Sequence, residues 1–118
     1  MYGLPPDLDL SFWSGTTLVQ VCIGQNDVQL NFSMPAVRLS AQTSYRVTTS
    51  TGSSVSENSP NGASHLIELL GMTVTRALDN GQGTLRIEFG ASIALEVFDE
   101  DPNHECYQVE HDGQLIVV

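Results

Sequence analysis

The chain contains no lysine. Its four basic side chains, Arg38, Arg46, Arg76 and Arg86, stand against 14 carboxylates, and the formal net charge is −10 over 118 residues. With so few phosphate-neutralising groups, nucleic acid is excluded as a partner and docking on anionic membrane surfaces is disfavoured. No apolar run approaches the roughly 18 residues that span a bilayer. No basic stretch followed by an apolar one marks a secretory leader, so a cytoplasmic location is expected. There are only two cysteines, Cys22 and Cys106, and no CxxC spacing. Two reduced, partly buried thiols are therefore expected. His104 lies two residues from Cys106, but the surrounding acids would raise the thiol pKa, which works against a nucleophile. Two further signatures are missing. There is no Gly-x-Ser-x-Gly elbow, and Asp79-Asn-Gly-Gln-Gly83 lacks the lysine and the following helix that a phosphate loop needs. Nothing here points to an enzyme.

What the chain does have is a hydrophobic content of 41%, enough for a globular core, and a length that fits one domain. Within it the two halves repeat. Leu10, Gly15 and Leu18 in the first half match Leu66, Gly71 and Val74 in the second. Val28-Gln-Leu-Asn-Phe32 matches Leu85-Arg-Ile-Glu-Phe89, and Val37-Arg-Leu39 matches Ile93-Ala-Leu95, all at an offset of 56 or 57 residues. Each unit opens on a short apolar segment, residues 7–14 or 63–70, with Asn61 or Ser64 as the candidate cap of the second. Gly15 and Gly71 sit where a helix end needs positive φ. A strand follows, with Val19, Val21 and Ile23 on one face, and its counterpart spans residues 72–78. Turn residues 24–27 and 79–83 then lead into strands with period-two alternation: Val28, Leu30 and Phe32, or Leu85, Ile87 and Phe89, face inward. A third strand closes each unit, over residues 37–47, straight or bent, in the first and around Ile93, Leu95 and Val97 in the second.

The expected fold is mainly β, a sandwich or open barrel of antiparallel sheets with one or two short helices. It would be a single domain of two three-stranded units, residues 7–47 and 65–98. The Ser/Thr-rich residues 48–64 read as a flexible loop, and residues 99–118 as an acidic loop and hairpin. Asp112-Gly113 between two apolar-bearing runs predicts a type I′ turn. The last strand, Gln114-Leu-Ile-Val-Val118, carries no charge to blunt it and is expected to be central or covered.

From Ile87 to Val118 there are eight carboxylates and no arginine, so this segment supplies most of the net charge. Asp99, Asp101, Asn103, Glu105 and Glu110 fall at positions 1, 3, 5, 7 and 12 of a calcium-loop template. His104 stands where the turn wants glycine, and Pro102 restricts Asp101. His104, Cys106 and His111 match no common zinc spacing. No metal or other cofactor is expected. Of the aromatics, Phe32 and Phe89 read as core. Phe12 and Trp13 are adjacent, so one of them is expected to face solvent, and Trp13 and Tyr107 are candidate interface anchors as well as packing residues.

The doubled Leu-x-x-Gly-x-x-Leu/Val unit and the closing Tyr107…Asp112-Gly113-x-Leu115 resemble a group of small uncharacterised bacterial β-rich proteins. Some of these are similar to immunity proteins encoded beside secreted toxins. The resemblance covers most of residues 10–118, passes poorly through residues 48–64, and supplies no catalytic residue. It implies a soluble, non-catalytic binding protein for interbacterial competition. The partner would be a cognate toxin with a basic active-site surface, of nuclease or deaminase type, and the acidic surface would face it. The candidate contacts are Asp99, Glu100, Asp101, Glu105, Tyr107, Glu110 and Asp112. The alternative is a small-ligand or metal-binding accessory domain, and a third reading is a homodimer paired through its last strand.

Overall fold

The computed structural model describes residues 9–25, 27–33, 36–42, 45–49, 52–56, 64–79, 83–90, 92–98 and 107–117. Inward residues at every second position build two antiparallel sheets. The first has the order β1-β2-β3-β9-β10, formed by Thr17–Ile23, Val28–Ser33, Val37–Ala41, Tyr107–His111 and Gln114–Val117. The second has the order β5-β4-β8-β7-β6, formed by Gly52–Ser56, Tyr45–Thr49, Ala94–Val97, Leu85–Glu88 and Arg76–Asp79. The 3₁₀ turn Ser11–Trp13 and the one-turn helix α1, Ser64–Ile67, complete the elements. One hydrophobic core draws on both sheets, with Leu18, Leu39, Leu85, Ile87 and Val109 at its buried centre. The mainly β architecture follows from strands that bury one face only, because the stable solution for such strands is sheet on sheet.

The internal repeat is a pseudo-two-fold in space. Thr17 and Thr73, 56 residues apart, form an antiparallel bridge and bring their hydroxyls within 3.3 Å of each other. Around this point the backbone bonds come in matched pairs. Gly15 N–H donates to Val74 and Gly71 N–H to Leu18, both at 2.8 Å. Leu18 N–H donates to Met72 at 3.0 Å and Val74 N–H to Thr16 at 2.7 Å. Gly15 and Gly71 have φ of +88° and +84°, the left-handed conformation expected of them. The bridge therefore joins the two sheets edge to edge through equivalent segments of the two repeats.

Two boundaries in the first half differ from the sequence reading. The third strand of the first unit is not one strand over residues 37–47. It ends at Ala41 in the first sheet, and the chain re-enters at Tyr45 in the second. Val37, Leu39 and Ala41 before the crossing and Tyr45 and Val47 after it are all buried at odd-numbered positions, so alternation alone could not reveal it. Residues 48–64 are likewise not a loop from their start. Thr48 and Thr49 belong to β4, and Gly52–Ser56 pairs with it as β5. β-branched threonines suit a strand, and an edge strand paired on one side needs no apolar alternation. The caps proposed at Asn61 and Ser64 rest on side chains outside the described residues.

The repeat unit is consequently larger than three strands. β4–β5 is the counterpart of β9–β10, and the two hairpins are exchanged. The hairpin that follows β3 lies beside β8, and the one that follows β8 lies beside β3. Ala41 opposite Tyr107 mirrors Val97 opposite Tyr45, and both tyrosines are buried. Each half completes the other's sheet, so neither half holds a complete core of its own.

Smaller features follow local chemistry. A bulge at Val19 interrupts β1, turning Val19 outward while Leu18 and Val21 face Phe32 and Leu30. The sequence reading placed Val19, Val21 and Ile23 on one face, and the extra residue breaks that phase. The counterpart strand is shorter than residues 72–78, because Thr73 is held by the bridge and regular pairing begins at Arg76. The Asp9 carboxylate accepts the Ser11 N–H at 2.9 Å, an Asx-type contact at the 3₁₀ turn that holds this carboxyl below its usual range.

Candidate functional site

The acidic hairpin β9–β10 turns through Asp112 and Gly113, with φ of +50° and +76°, as the Asp-Gly pair predicts. Strand β9 alternates cleanly. Tyr107, Val109 and His111 face inward, and Gln108 and Glu110 face outward. Asp112 stands exposed at the tip and Glu110 on the outer face. Asp99, Glu100, Asp101 and Glu105 lie outside the described residues, as do His104 and Cys106. Cys22 is a free thiol on β1.

Tyr107 is not a surface anchor. It is 1% exposed, and its hydroxyl donates to the Gly83 carbonyl, at the turn before β7 of the other sheet, at 2.5 Å. The inward phase of β9 forces this: a tyrosine in register with Val109 enters the core, and its polar tip must find a partner there. Trp13 is also core, with no exposed surface, and it meets the ring of Phe32 edge to face. Phe12 takes the outer position and stacks on Trp13 at 5.7 Å and on His111 at 3.9 Å between ring centroids.

The His111 stack and the outer-face rows were missed from the sequence. The phase of β9 shows His111 sharing a face with Val109. Nothing local shows that the 3₁₀ turn from the start of the chain closes over it. Beside the stack lies a cleft of about 380 Å³, lined by Asn31, Phe32, Val37, Arg38, His111 and Asp112, among others. Phe32 and Val37 give it apolar lining, and Arg38, Glu110 and Asp112 bring both signs of charge to it.

The outer faces of the sheets arrange all four arginines. In the first sheet a polar row crosses four adjacent strands. Asn31 donates to Gln20 at 3.0 Å, Arg38 Nε to Asn31 at 3.2 Å, and Arg38 Nη1 lies 3.8 Å from Glu110. In the second sheet Arg76 and Arg86 both bind Glu88, and Arg86 and Arg46 each lie 3.6 Å from Glu96. Exposed pairs such as Arg38–Glu110 contribute only about 0.2–1 kcal/mol each. Their larger consequence is electrostatic. Each arginine stands against Glu88, Glu96 or Glu110, and no basic residue follows Arg86 to balance the acidic remainder. Among the described residues no cluster of three or more potential metal ligands occurs.

The hydrogen bonds from Arg76 and then Arg86 hold the Glu88 carboxyl below its ordinary range, against a smaller opposing effect of burial. A carboxyl lowered in the folded state stabilises the fold above its unfolded pKa, and that contribution is lost as pH falls through the folded value. Glu88→Gln is therefore expected to lower the urea midpoint at neutral pH, with a narrower gap to the parent at about pH 3. Paired urea titrations at the two pH values measure this, and a gap independent of pH would count against the assignment.

Residues 8–118 match the model of a family of unknown function (DUF6188), and the chain belongs to that family. No curated protein and no solved structure matches it. Among the described residues no helix is long and apolar enough to cross a membrane.

Proposed function

We propose that this chain is a non-enzymatic binding protein that covers the basic surface of a partner protein, in the manner of an immunity protein facing its cognate toxin. A nuclease or a nucleic-acid-directed deaminase is the natural partner, because its substrate groove must be positive. One observation carries the reading. Glu110 and Asp112 stand exposed on a hairpin at the end of a 32-residue segment that holds eight carboxylates and no basic residue, while the arginines are already held in rows against Glu88, Glu96 and Glu110. Such a surface speeds encounter with a cationic partner and biases its orientation. The mixed-charge cleft beside His111 favours a second reading, a small-ligand accessory domain, in which neutralising the acidic segment leaves affinity unchanged.

The test is affinity capture from the lysate of the source cells at low and high salt, followed by kinetics on the captured protein. The expected result is one basic protein, held at low salt and weakened at high salt. Neutralising Asp99, Glu100 and Asp101 together as Asp99→Asn, Glu100→Gln and Asp101→Asn is expected to slow association by roughly tenfold or more and to flatten its salt dependence. An acidic partner, or an association rate and salt slope unaffected by the triple change, overturns the reading.

A further inference from the structure

The four sheet edges are not protected alike. Strand β1 is broken by the bulge at Val19, and its start is occupied by the bridge to Thr73. Strand β6 carries Arg76 and Asp79, and its outer end runs into the same junction. Strand β5, Gly-Ser-Ser-Val-Ser, has little apolar character. Strand β10 has none of these devices. Gln114-Leu-Ile-Val117 is regular, uncharged and free of proline and bulges, and Leu115 is 58% exposed. It was expected to be central or covered, yet among the described residues it forms the outer strand of its sheet. A bare apolar edge is a template for another strand, and proteins that do not use such an edge normally blunt it.

The register shows which groups are open. A two-residue turn makes His111 and Gln114 a hydrogen-bonded pair, and alternation makes Val109 and Ile116 the next. The N–H and C=O of Leu115 and Val117 therefore point away from β9, toward the open edge. Glu110 lies opposite Leu115 on the outer face, and Asp112 lies at the turn beside it. Glu110 already faces Arg38 at 3.8 Å on the β3 side, and an incoming Lys or Arg beside Leu115 would share the carboxylate from the β10 side, across two strand spacings or roughly 10 Å, a gap that a long basic side chain and the glutamate close between them. A second copy of this chain would instead bring two molecules of net charge −10 together at their most acidic ends.

We infer that an extended, basic segment of the partner protein adds to the first sheet along β10, bonding to the backbone of Leu115 and Val117 and placing a Lys or Arg toward Glu110. This rests on the reading of the chain as a binder of basic proteins and names where and how that partner docks.

The test uses the full chain, labelled for amide NMR, and two end-blocked synthetic peptides of strand length, about six residues. One alternates Lys and Val, and the other alternates Glu and Val. The Lys/Val peptide is expected to slow exchange of the Leu115 and Val117 amides by at least about tenfold at saturation, and the Glu/Val peptide to leave them unchanged. Leu115→Pro removes one outward donor without touching the β9 ladder and should abolish the effect. Leu115→Lys keeps the amide, repels the basic peptide and should also abolish it. If the Lys/Val peptide binds but the perturbations surround Glu110 and Asp112 without protecting Leu115 and Val117, strand addition is overturned while the acidic-surface reading stands. Equal protection by the Glu/Val peptide, no binding of either peptide, or β10 amides protected without peptide in a concentration-dependent dimer each overturn the inference. Failure of the lysate capture to yield a basic protein counts against the parent reading separately.

Discussion

Val109→Asp is expected to unfold the whole chain rather than release its last hairpin. Val109 has no exposed surface and lies between Leu39 on β3 and Ile116 on β10. A carboxylate at that point has no cationic partner on the facing strands. It must either stay ionised in the core or take up a proton, and such burial costs at least about 4 kcal/mol, a large share of the 5–15 kcal/mol that stabilises a domain of this size. The mode of failure is more informative than the size. Were β9–β10 an appendage to two three-stranded units, the hairpin would detach and residues 9–98 would remain folded. The structure makes β9 an interior strand of the first sheet whose Tyr107 hydroxyl is bonded to Gly83 at a turn of the second. Loss of β9 therefore removes core from both sheets. Urea unfolding followed by Trp13 fluorescence should show the transition abolished or shifted far to low urea. A Trp13 transition at the parent midpoint would show that the hairpin is separable.

Trp13→Ala should produce the second large effect. The indole is fully buried, meets Phe32 edge to face at 5.6 Å, and supports the Phe12 ring that covers His111. Removing it opens a cavity beneath the 3₁₀ turn and costs about 3–5 kcal/mol, lowering the melting midpoint by roughly 10–20 °C. Trp13→Phe is the informative control. The Trp13 indole N–H finds no hydrogen-bond acceptor among the described residues, so phenylalanine removes an unsatisfied buried donor while keeping an aromatic ring. Its loss should be less than half that of alanine. Far-UV circular dichroism melts of the three proteins measure both. Equal losses for Phe and Ala would mean that ring packing at this point contributes little.

The same side chains show how much could be read in advance. Inward phases at Val28, Leu30 and Phe32, or at Leu85, Ile87 and Phe89, were legible because period two in one strand is a local property. The Asp112-Gly113 turn and the positive φ of Gly15 and Gly71 were legible because few residues tolerate those angles. Whether Tyr107 packs in the core or anchors an interface is not legible locally, because its partner, Gly83, lies 24 residues away at a turn of the other sheet. β10 reads as central or covered and is instead the outer strand among the described residues, because apolar content sets a strand's tendency to pair, while its position in the sheet depends on what the rest of the fold leaves beside it.

From the sequence alone came the β class, the duplication and the concentration of carboxylates in the last third, since each depends on residue types and short spacings along the chain. Tertiary structure alone decided three things. It crossed the first repeat from one sheet to the other between Ala41 and Tyr45, exchanged the two hairpins, and set Phe12 over His111. The physical reason is common to all three. Alternation tells a strand which face to bury but not against which partner, and two near-identical half-sheets offer each hairpin two almost equivalent edges. Only closing the common core around the Thr17–Thr73 bridge distinguishes one edge from the other.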